Sequence, residues 1–316
     1  MSKTRRSVLV TGGAGFIGSH LIPRLLELGH SVTVLDNLSA GKLENLNEVL
    51  DHPKFTFQRG DIRDKTLLDE VFDGVDSVIH LAALIDISAS VADPIQNHEV
   101  NLNGTFNMLH ASVKHKVEKF VFASSTAVYG DAKTLPIQED TALHPISPYA
   151  ASKVAGEAYC SAFANCYDID TVALRFFNIY GPRSENSSYS GVITKFFQKI
   201  IKGEVLTIDG DGEQTRDFVH VSDVVKAVIL ALQHEGLKGE VFNVCTGIPT
   251  SVNQLASTLK VDTGKNPTIR HGPARIGDIR SSYGDPAKAA ENLSFKASVD
   301  LKKGLKLLLE ELSGLK

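Results

Sequence analysis

The sequence has little that would direct it to a membrane or a nucleic acid. No apolar run among its 316 residues reaches the ~20 residues of a membrane-spanning helix. The formal net charge is −4 at pH 7, so the chain offers no global basic field to nucleic acid or anionic lipid. The basic first residues run into a glycine pair before any apolar core forms, so we expect no signal peptide.

Cysteine is also scarce. Cys160, Cys166 and Cys245 are odd in number, scattered, and without the spacing of metal ligands. We therefore expect buried or reduced thiols, no bound metal and a cytoplasmic location, because disulfides are rare there. Hydrophobic residues make up 42% and charged residues 22%, as in an ordinary globular protein, and the length suits one large or two interleaved domains.

Hydrophobic patterning in the first half alternates between short β-branched runs and helical stretches. Strands are predicted at residues 7–10, 31–35, 55–59, 77–80, 119–123 and 171–176. Helices are predicted at residues 16–28, 66–72, 95–115 and 149–167. Several strands are apolar on both faces, as a buried parallel sheet requires. The alternation predicts βαβ units in a Rossmann-type, doubly wound α/β fold.

A glycine-rich turn follows the first predicted strand. Gly12 permits the tight turn, Gly15 lets the backbone approach a pyrophosphate, and Gly18 lets the next helix pack close to the strand. The helix N-terminus at Phe16 and Ile17 faces the phosphate charge. Because a strand precedes the turn and a helix follows it, the motif predicts a dinucleotide site.

Carboxylates after the next two strands support this prediction. Asp36 ends the second strand, where it can bond both ribose hydroxyls, and it would repel a 2′-phosphate. NAD is therefore favoured over NADP. Asp61 and Ile62 follow the third strand and are placed to flank the adenine, although Asp61 alone could equally be a solvated loop acid.

Domain boundaries follow from the same pattern. The second half is more mixed, and a helix at 221–232 followed by a strand at 241–244 predicts a unit that returns to the sheet. We expect residues 1–176, with 220–246 returning to them, to form the NAD-binding domain. Residues 177–316 would form most of a smaller, mixed α/β substrate-binding domain.

Tyr149 and Lys153 are four residues apart, so on a helix they share one face. A tyrosine is a poor base at its free pKa near ~10. An adjacent ammonium and a positive nicotinamide ring favour the phenolate and lower the pKa of the tyrosine toward neutral pH. The lysine can also hydrogen-bond the nicotinamide ribose. A hydroxyl must hold the substrate oxygen, and the Ser-Ser-Thr run at 124–126 ends the fifth strand at the ligand-binding edge.

Together these motifs resemble those of the extended short-chain dehydrogenase/reductases. Within that group the chain is similar to the NAD-dependent epimerase family, in particular the UDP-glucose 4-epimerases and UDP-N-acetylglucosamine 4-epimerases. The resemblance covers roughly residues 7–310. It rests on residues 11–18, 60–64, 80–83, 101, 124–130, 149–153, 175–182, 216–223 and 275–278.

The resemblance implies roles for individual residues. Ser125 would hold the substrate oxygen and Tyr149 would be the base. The remaining cofactor-binding positions would be Asn37, Leu81, Ala82, Ala83 and Asn101, with Lys153. The diphosphate side of the nucleotide sugar would bind Asn178 and Arg216, phosphate and ribose would bind Arg275 and Asp278, and the pocket would add Thr126, Val192 and Ser282. Arginine suits pyrophosphate because its charge is permanent and its guanidinium bonds in a fork.

The lack of one acidic residue disfavours two of the reactions that such enzymes catalyse, dehydration and decarboxylation. Nucleotide-sugar dehydratases and decarboxylases of this type carry a glutamate just before the Val-Tyr-Gly segment, whereas this chain has Thr126 and Ala127. What remains is oxidation to a 4-keto sugar followed by reduction on its other face, the 4-epimerisation of a UDP-hexose. Arg183 could instead pair with a uronate, giving a UDP-glucuronate 4-epimerase or another NAD-dependent nucleotide-sugar oxidoreductase. A non-catalytic NAD-sensing scaffold is disfavoured because both Tyr149 and Lys153 are retained.

Two further expectations come from the resemblance. Ser282 stands three residues before Asp285, at a position whose small residues resemble those of enzymes that admit an N-acetyl group, unless Ser281 or Tyr283 lines the wall instead. Helices 95–115 and 149–167 are apolar on more than one face and would pair with their copies in a homodimer, unless those faces are buried in the monomer. The apolar residues concerned are Phe106, Met108, Leu109, Phe163 and Ala164.

Overall fold

The structure is a computed structural model that describes residues 5–184, 191–274 and 279–312. Its strands are β1 (Ser7–Thr11), β2 (Ser31–Asp36), β3 (Phe55–Arg59), β4 (Ser77–His80), β5 (Lys119–Ser125), β6 (Asp170–Phe176), β7 (Asn178–Tyr180), β8 (Leu206–Asp209), β9 (Thr215–His220), β10 (Glu240–Val244), β11 (Pro249–Ser251), β12 (Ile269–Gly272) and β13 (Ser281–Ser282). Its helices are α1 (Phe16–Glu27), α2 (Lys65–Val71), α3 (Ile87–Ala92), α4 (Pro94–Asn97), α5 (Gly104–Lys114), α6 (Pro148–Cys166), α7 (Val192–Lys202), α8 (Val221–Gln233), α9 (Val252–Thr263), α10 (Ala287–Leu293) and α11 (Leu301–Leu312). In these described ranges, no helix has the length and apolar character needed to cross a membrane.

The central sheet is parallel and runs in the order β10–β6–β5–β4–β1–β2–β3. Its inner strands are apolar on both faces, and Val8, Leu9 and Val10 of β1 are completely buried. Helices α1 and α8 cover one face, while α2, α5 and α6 cover the other. The predicted doubly wound α/β fold is confirmed, and β10, which follows α8, pairs in parallel with β6.

A smaller mixed unit lies beyond the end of β6. In it β9 pairs in parallel with β7 and β13 and antiparallel with β11, and β8 pairs with β12. Helices α7, α9 and α11 pack over these strands around a separate apolar core. A single residue, Phe177, separates β6 from β7, so the chain passes directly from the large sheet into this unit.

The predicted helix at 95–115 is not one regular α-helix. A π-helical segment (His98–Asn103) separates α4 from α5. A π turn takes in one more residue than an α turn, which shifts the side chains on either side of it. Here the wider turn aims the side chain of Asn101 at Leu84 and at α6, where it forms hydrogen bonds. These tertiary contacts override the simple helical period that the sequence shows.

Candidate active site

A large cleft opens at the carboxyl ends of the parallel strands. The chain leaves β1 toward β2 on one side, whereas β4 lies on the other, and ligands bind in the crevice that such a reversal creates. The cleft has a volume of about 1470 Å³ and is lined by residues of the central sheet and of the smaller unit. Ligand pockets typically measure about 300–1,000 Å³, so this one has room for two nucleotide-sized ligands side by side.

The glycine turn forms one wall of the cleft. Gly12 has φ +68, and a Cβ there would lie 2.8 Å from the backbone nitrogen of Ala82. A Cβ on Gly18 would lie 2.4 Å from the carbonyl oxygen of Gly13, so only glycine lets α1 pack this closely. Gly15 is the N-cap of α1 and makes no side-chain cap hydrogen bond. Phe16 and Ile17, whose N–H groups have no partner within the helix, line the cleft.

Asp36 stands at the end of β2 on the same wall. One carboxylate oxygen accepts a hydrogen bond from Ala14 N at 3.0 Å and the other from Leu38 N at 2.8 Å. Each oxygen has a second lone pair for a ribose hydroxyl. Burial raises the pKa of Asp36, and the two backbone N–H groups partly offset this effect. The two N–H groups fix the orientation of the carboxylate at the edge of the cleft.

Asp61 lines the neighbouring part of the cleft. Arg63 donates from Nε and Nη2 to its two oxygens, each at 2.9 Å, and Asn37 donates at 3.0 Å. The Arg63 guanidinium holds the pKa of this carboxyl well below its usual range. Asp61 is therefore an ionised, oriented group. Ile62, Leu81, Ala82 and Ala83 line the cleft beside it.

Tyr149 and Lys153 lie in the first two turns of α6, which Ser147 caps by accepting a hydrogen bond from Ala150 N at 3.1 Å. Both side chains line the cleft, and they are only 8% and 4% exposed. Lys153 Nζ lies 5.9 Å from the centre of the Tyr149 ring and donates to the carbonyl of Ala123 at 2.8 Å. Burial lowers the pKa of Lys153 to about 8. The predicted pair thus shares one face and one cleft.

Ser125 ends β5 and lines the same cleft as Tyr149 and Lys153. Its Oγ accepts a hydrogen bond from Ala127 N at 3.1 Å, which leaves its hydroxyl hydrogen for another partner. Ser125, Thr126 and Ala127 all line the cleft. The dehydratase-type glutamate position is therefore on the wall, and alanine there brings no proton-transfer group.

A buried polar network holds α6 against the sheet. Arg175 of β6 donates to both carboxylate oxygens of Glu157 at 2.9 and 2.7 Å, and Ser124 donates to the same carboxylate. Arg175 also donates to Tyr129 Oη at 2.8 Å, and that hydroxyl donates to Asn243 at 2.6 Å. Glu157 is not among the residues predicted from the sequence, although it lies one helical turn beyond Lys153 and shares its face of α6.

The predicted substrate residues that the structure describes line the same cleft. They are Asn178, Val192, Arg216 and Ser282. Arg216 of β9 is held by its bonds to the carbonyls of Thr215 and Ile279 at 2.8 and 2.7 Å. Ser282 of β13 pairs with Arg216 and is 6% exposed, and its neighbours Ser281 and Tyr283 are not on the wall. Arg275 and Asp278 lie outside the described residues.

Two sequence-based candidates lie elsewhere. Asn101 is behind the wall, where its amide bonds both backbone groups of Leu84 and the hydroxyl of Ser152. Arg183 points away from the cleft, because it donates to the carbonyl of Ser19 at 3.0 Å and pairs with Glu48 at 3.2 Å. Arg183 is therefore not placed to pair with the carboxylate of a uronate substrate, which was the basis for the UDP-glucuronate 4-epimerase alternative.

The sheet, the glycine turn and the buried tyrosine–lysine pair define an extended short-chain dehydrogenase/reductase. More narrowly, the chain belongs to the NAD dependent epimerase/dehydratase family, whose model matches residues 8–245. Its cofactor is accordingly NAD, and the fixed Asp36 carboxylate and open helix N-terminus fit that molecule.

Similarity to known proteins extends over the whole chain. The UDP-glucose 4-epimerase of Mycolicibacterium smegmatis is 40% identical over 304 residues, which cover 96% of this chain and 97% of that protein. The structure of UDP-glucose 4-epimerase from Thermotoga maritima with UDP-glucose is 40% identical, with a TM-score of 0.92 and coverage of 98% and 99%. The UDP-N-acetylglucosamine 4-epimerase from Methanobrevibacter ruminantium M1, in complex with UDP-N-acetylmuramic acid, is 37% identical, with a TM-score of 0.93 and coverage of 99% of both chains.

The buried charge of Lys153 predicts a specific pH effect. Lys153→Met removes the cation that favours the phenolate of Tyr149, so the pKa of the tyrosine should rise. The acid limb of the kcat/KM profile should then move to higher pH by about 1–3 units. Lys153→Arg keeps a cation and should shift the limb less. A Met variant whose acid limb coincides with that of the wild type would contradict the electrostatic role of Lys153.

Proposed function

We propose that this chain is an NAD-dependent 4-epimerase of UDP-hexoses that interconverts UDP-glucose and UDP-galactose. The observation that carries the proposal is the buried Tyr149–Lys153 pair, in a cleft whose other wall holds Arg216 and Ser282. The absence of a glutamate at Thr126 and Ala127 favours epimerisation over dehydration or decarboxylation. The two epimerase structures reported above, one with UDP-glucose and one with UDP-N-acetylmuramic acid, support the same class of substrate.

The chain's own residues would supply acid–base chemistry and anchoring. Tyr149 would take the proton of the 4′-hydroxyl and later return it, while Ser125 holds the same oxygen. Lys153 would stabilise the phenolate. Bound NAD supplies a reversible acceptor for the carbon-4 hydride. The nucleotide half would stay fixed while the 4-keto sugar turns over, so remote binding energy retains the reactive intermediate.

We assign roles to the other residues according to the wall of the cleft on which they lie. We assign residues 1–176 and 220–246 to the NAD-binding domain and most of 177–316 to the substrate domain. Gly12, Gly15, Phe16, Ile17, Gly18, Asp36, Asn37, Asp61, Ile62, Leu81, Ala82 and Ala83 would contact NAD, with Asn101 supporting them from behind. Thr126, Asn178, Val192, Arg216 and Ser282 would contact the nucleotide sugar, with Arg275 and Asp278. Three free cysteines are consistent with a cytoplasmic location.

The proposal is tested by incubating the purified protein with UDP-glucose or UDP-galactose and resolving the products by chromatography. Wild type should interconvert the two without added reductant. Tyr149→Phe should keep bound NAD and lose about 10²–10⁴-fold in kcat, because acid–base help is removed. Tyr167→Phe, a half-exposed tyrosine just beyond α6, is the matched control. A Tyr149→Phe enzyme with half the wild-type rate would rule out the assigned base.

We infer further that the sugar pocket admits an N-acetyl group. Ser282 is small, lines the cleft and can donate or accept a hydrogen bond. A bulky side chain at this position would fill the space beside the carbon-2 substituent. The pocket should therefore accept UDP-N-acetylglucosamine and its galacto epimer as well as the simple hexoses.

A substitution at this position tests the pocket size. Ser282→Tyr should abolish turnover of the N-acetylated sugars by steric exclusion and spare UDP-galactose. Ser282→Ala keeps the space and should retain both activities. The measurement is kcat/KM for each sugar. If wild type converts UDP-galactose but not UDP-N-acetylgalactosamine, the pocket is not open at Ser282.

We also propose a homodimer formed through α5 and α6. Met108, Leu109 and Phe163 cannot contribute to such a contact, because they are buried in the core of the monomer. Phe106 and Tyr159 remain, each 38% exposed, with ring centroids 5.3 Å apart. This aromatic pair spans the two adjacent helices, and a twofold axis would bring it against its own copy.

Light scattering at micromolar concentration should give the mass of a dimer. Replacing both Phe106 and Tyr159 with Glu places charges on the apolar pair and should give a monomer. Val261→Glu, at a position on α9 that is 75% exposed, adds a charge far from this surface and should leave the dimer intact. A wild-type monomer would refute the dimer.

A further inference from the structure

Side-chain hydrogen bonds link the glycine turn to the interior behind it. Thr11 ends β1, His80 ends β4, and Thr105 lies in the first turn of α5. Each is at most 1% exposed. Thr11 Oγ1 is 2.7 Å from His80 Nδ1, and His80 Nε2 is 2.9 Å from Thr105 Oγ1. None of the three is among the residues that line the cleft.

The same hydrogen bonds continue to the helix of the tyrosine–lysine pair. Thr105 Oγ1 donates to the carbonyl of Asn101 at 2.6 Å, and the side chain of Asn101 donates to Ser152 Oγ at 3.2 Å. Ser152 Oγ in turn donates to the carbonyl of Tyr149 at 2.7 Å. A buried path therefore runs from the residue before Gly12 to the backbone of Tyr149.

The donors and acceptors along this path allow one arrangement of protons. Thr11 Oγ1 accepts from Ala82 N at 3.2 Å, so its own hydrogen is available for His80 Nδ1. Thr105 uses its hydrogen on Asn101, so it must accept one from His80 Nε2. His80 is therefore the neutral tautomer with its hydrogen on Nε2. Burial, with a smaller contribution from Lys153, lowers the pKa of His80 to about 3.

We propose that His80 and Thr105 are positioning residues that couple the cofactor-binding turn to the placement of Tyr149. Neither residue lines the cleft. The neutral imidazole holds Thr11, and through it the turn at Gly12, while Thr105 holds the π-helical segment that orients Asn101. This inference rests on the proposed function, because it assigns Tyr149 the acid–base role and the glycine turn the role of holding NAD.

Loss of one bond in the path has a defined consequence. Without the Thr105 hydroxyl, the Nε2 hydrogen of His80 has no acceptor in a buried site, which is costly. Rotation or a change of tautomer would then move Thr11 or the π-helical segment. Small displacements of a reacting group have large effects, since a misplacement of 1 Å can cost about 100-fold in rate. Affinity for the sugar should change little, because these residues do not line the cleft.

The test compares three variants on α5 in the holoenzyme. Thr105→Val keeps the shape and removes the hydroxyl, whereas Thr105→Ser restores it. Ser112→Ala is the matched control, because Ser112 is fully buried and donates to Met108 O at 2.7 Å without joining the path. Measurements are kcat and KM for UDP-galactose, the rate of NAD release in the absence of sugar, and Tm.

Thr105→Val should lower kcat by roughly 10- to 100-fold with KM nearly unchanged, and should release NAD faster. Thr105→Ser should recover both properties, and Ser112→Ala should change only Tm. If Thr105→Val resembles Ser112→Ala in kcat and NAD release, the coupling is overturned. If wild type converts no UDP-sugar, the proposed function fails, and the NAD release rates of the same variants still decide the coupling.

Discussion

The buried ammonium of Lys153 is the constraint around which the site is arranged. An uncompensated charge in a protein interior costs several kcal/mol, so its partners must be held in place. The carbonyl of Ala123 accepts a hydrogen bond from it, the ring of Phe122 lies 4.9 Å from it, and the Glu157 carboxylate raises its pKa against the effect of burial. Arg175 fixes that carboxylate, so residues of β5, β6 and α6 all contribute to the environment of the Lys153 ammonium.

This arrangement links the fold to the chemistry. Parallel strands end at one edge, where β1 supplies the glycine turn, β2 the Asp36 carboxylate, and β5 the Ser125 hydroxyl. Helix α6 brings the tyrosine to the same edge, because its polar face is bonded to the ends of two strands. The second sheet begins immediately after β6 and places Arg216 and Ser282 across the cleft. Each functional group is thus on a rigid element or at its end.

Much of this could be predicted from the sequence. The strands are short, buried, β-branched runs, and the glycine turn has a spacing that few other structures need, so local pattern identified both. The π-helical segment could not be predicted, because only contacts of Asn101 with distant residues reveal it. The direction of Arg183 depends on Ser19 and Glu48, far away in sequence. Burial of Met108 and Leu109 likewise follows from packing that helical periodicity alone does not specify.

The single residue between β6 and β7 has a mechanical consequence. The chain passes from one unit to the other within one residue there, and Arg183, just after β7, donates to the carbonyl of Ser19 in α1. Separating the two units would therefore strain this short connection and break the hydrogen bonds that Arg183 makes with Ser19 and Glu48.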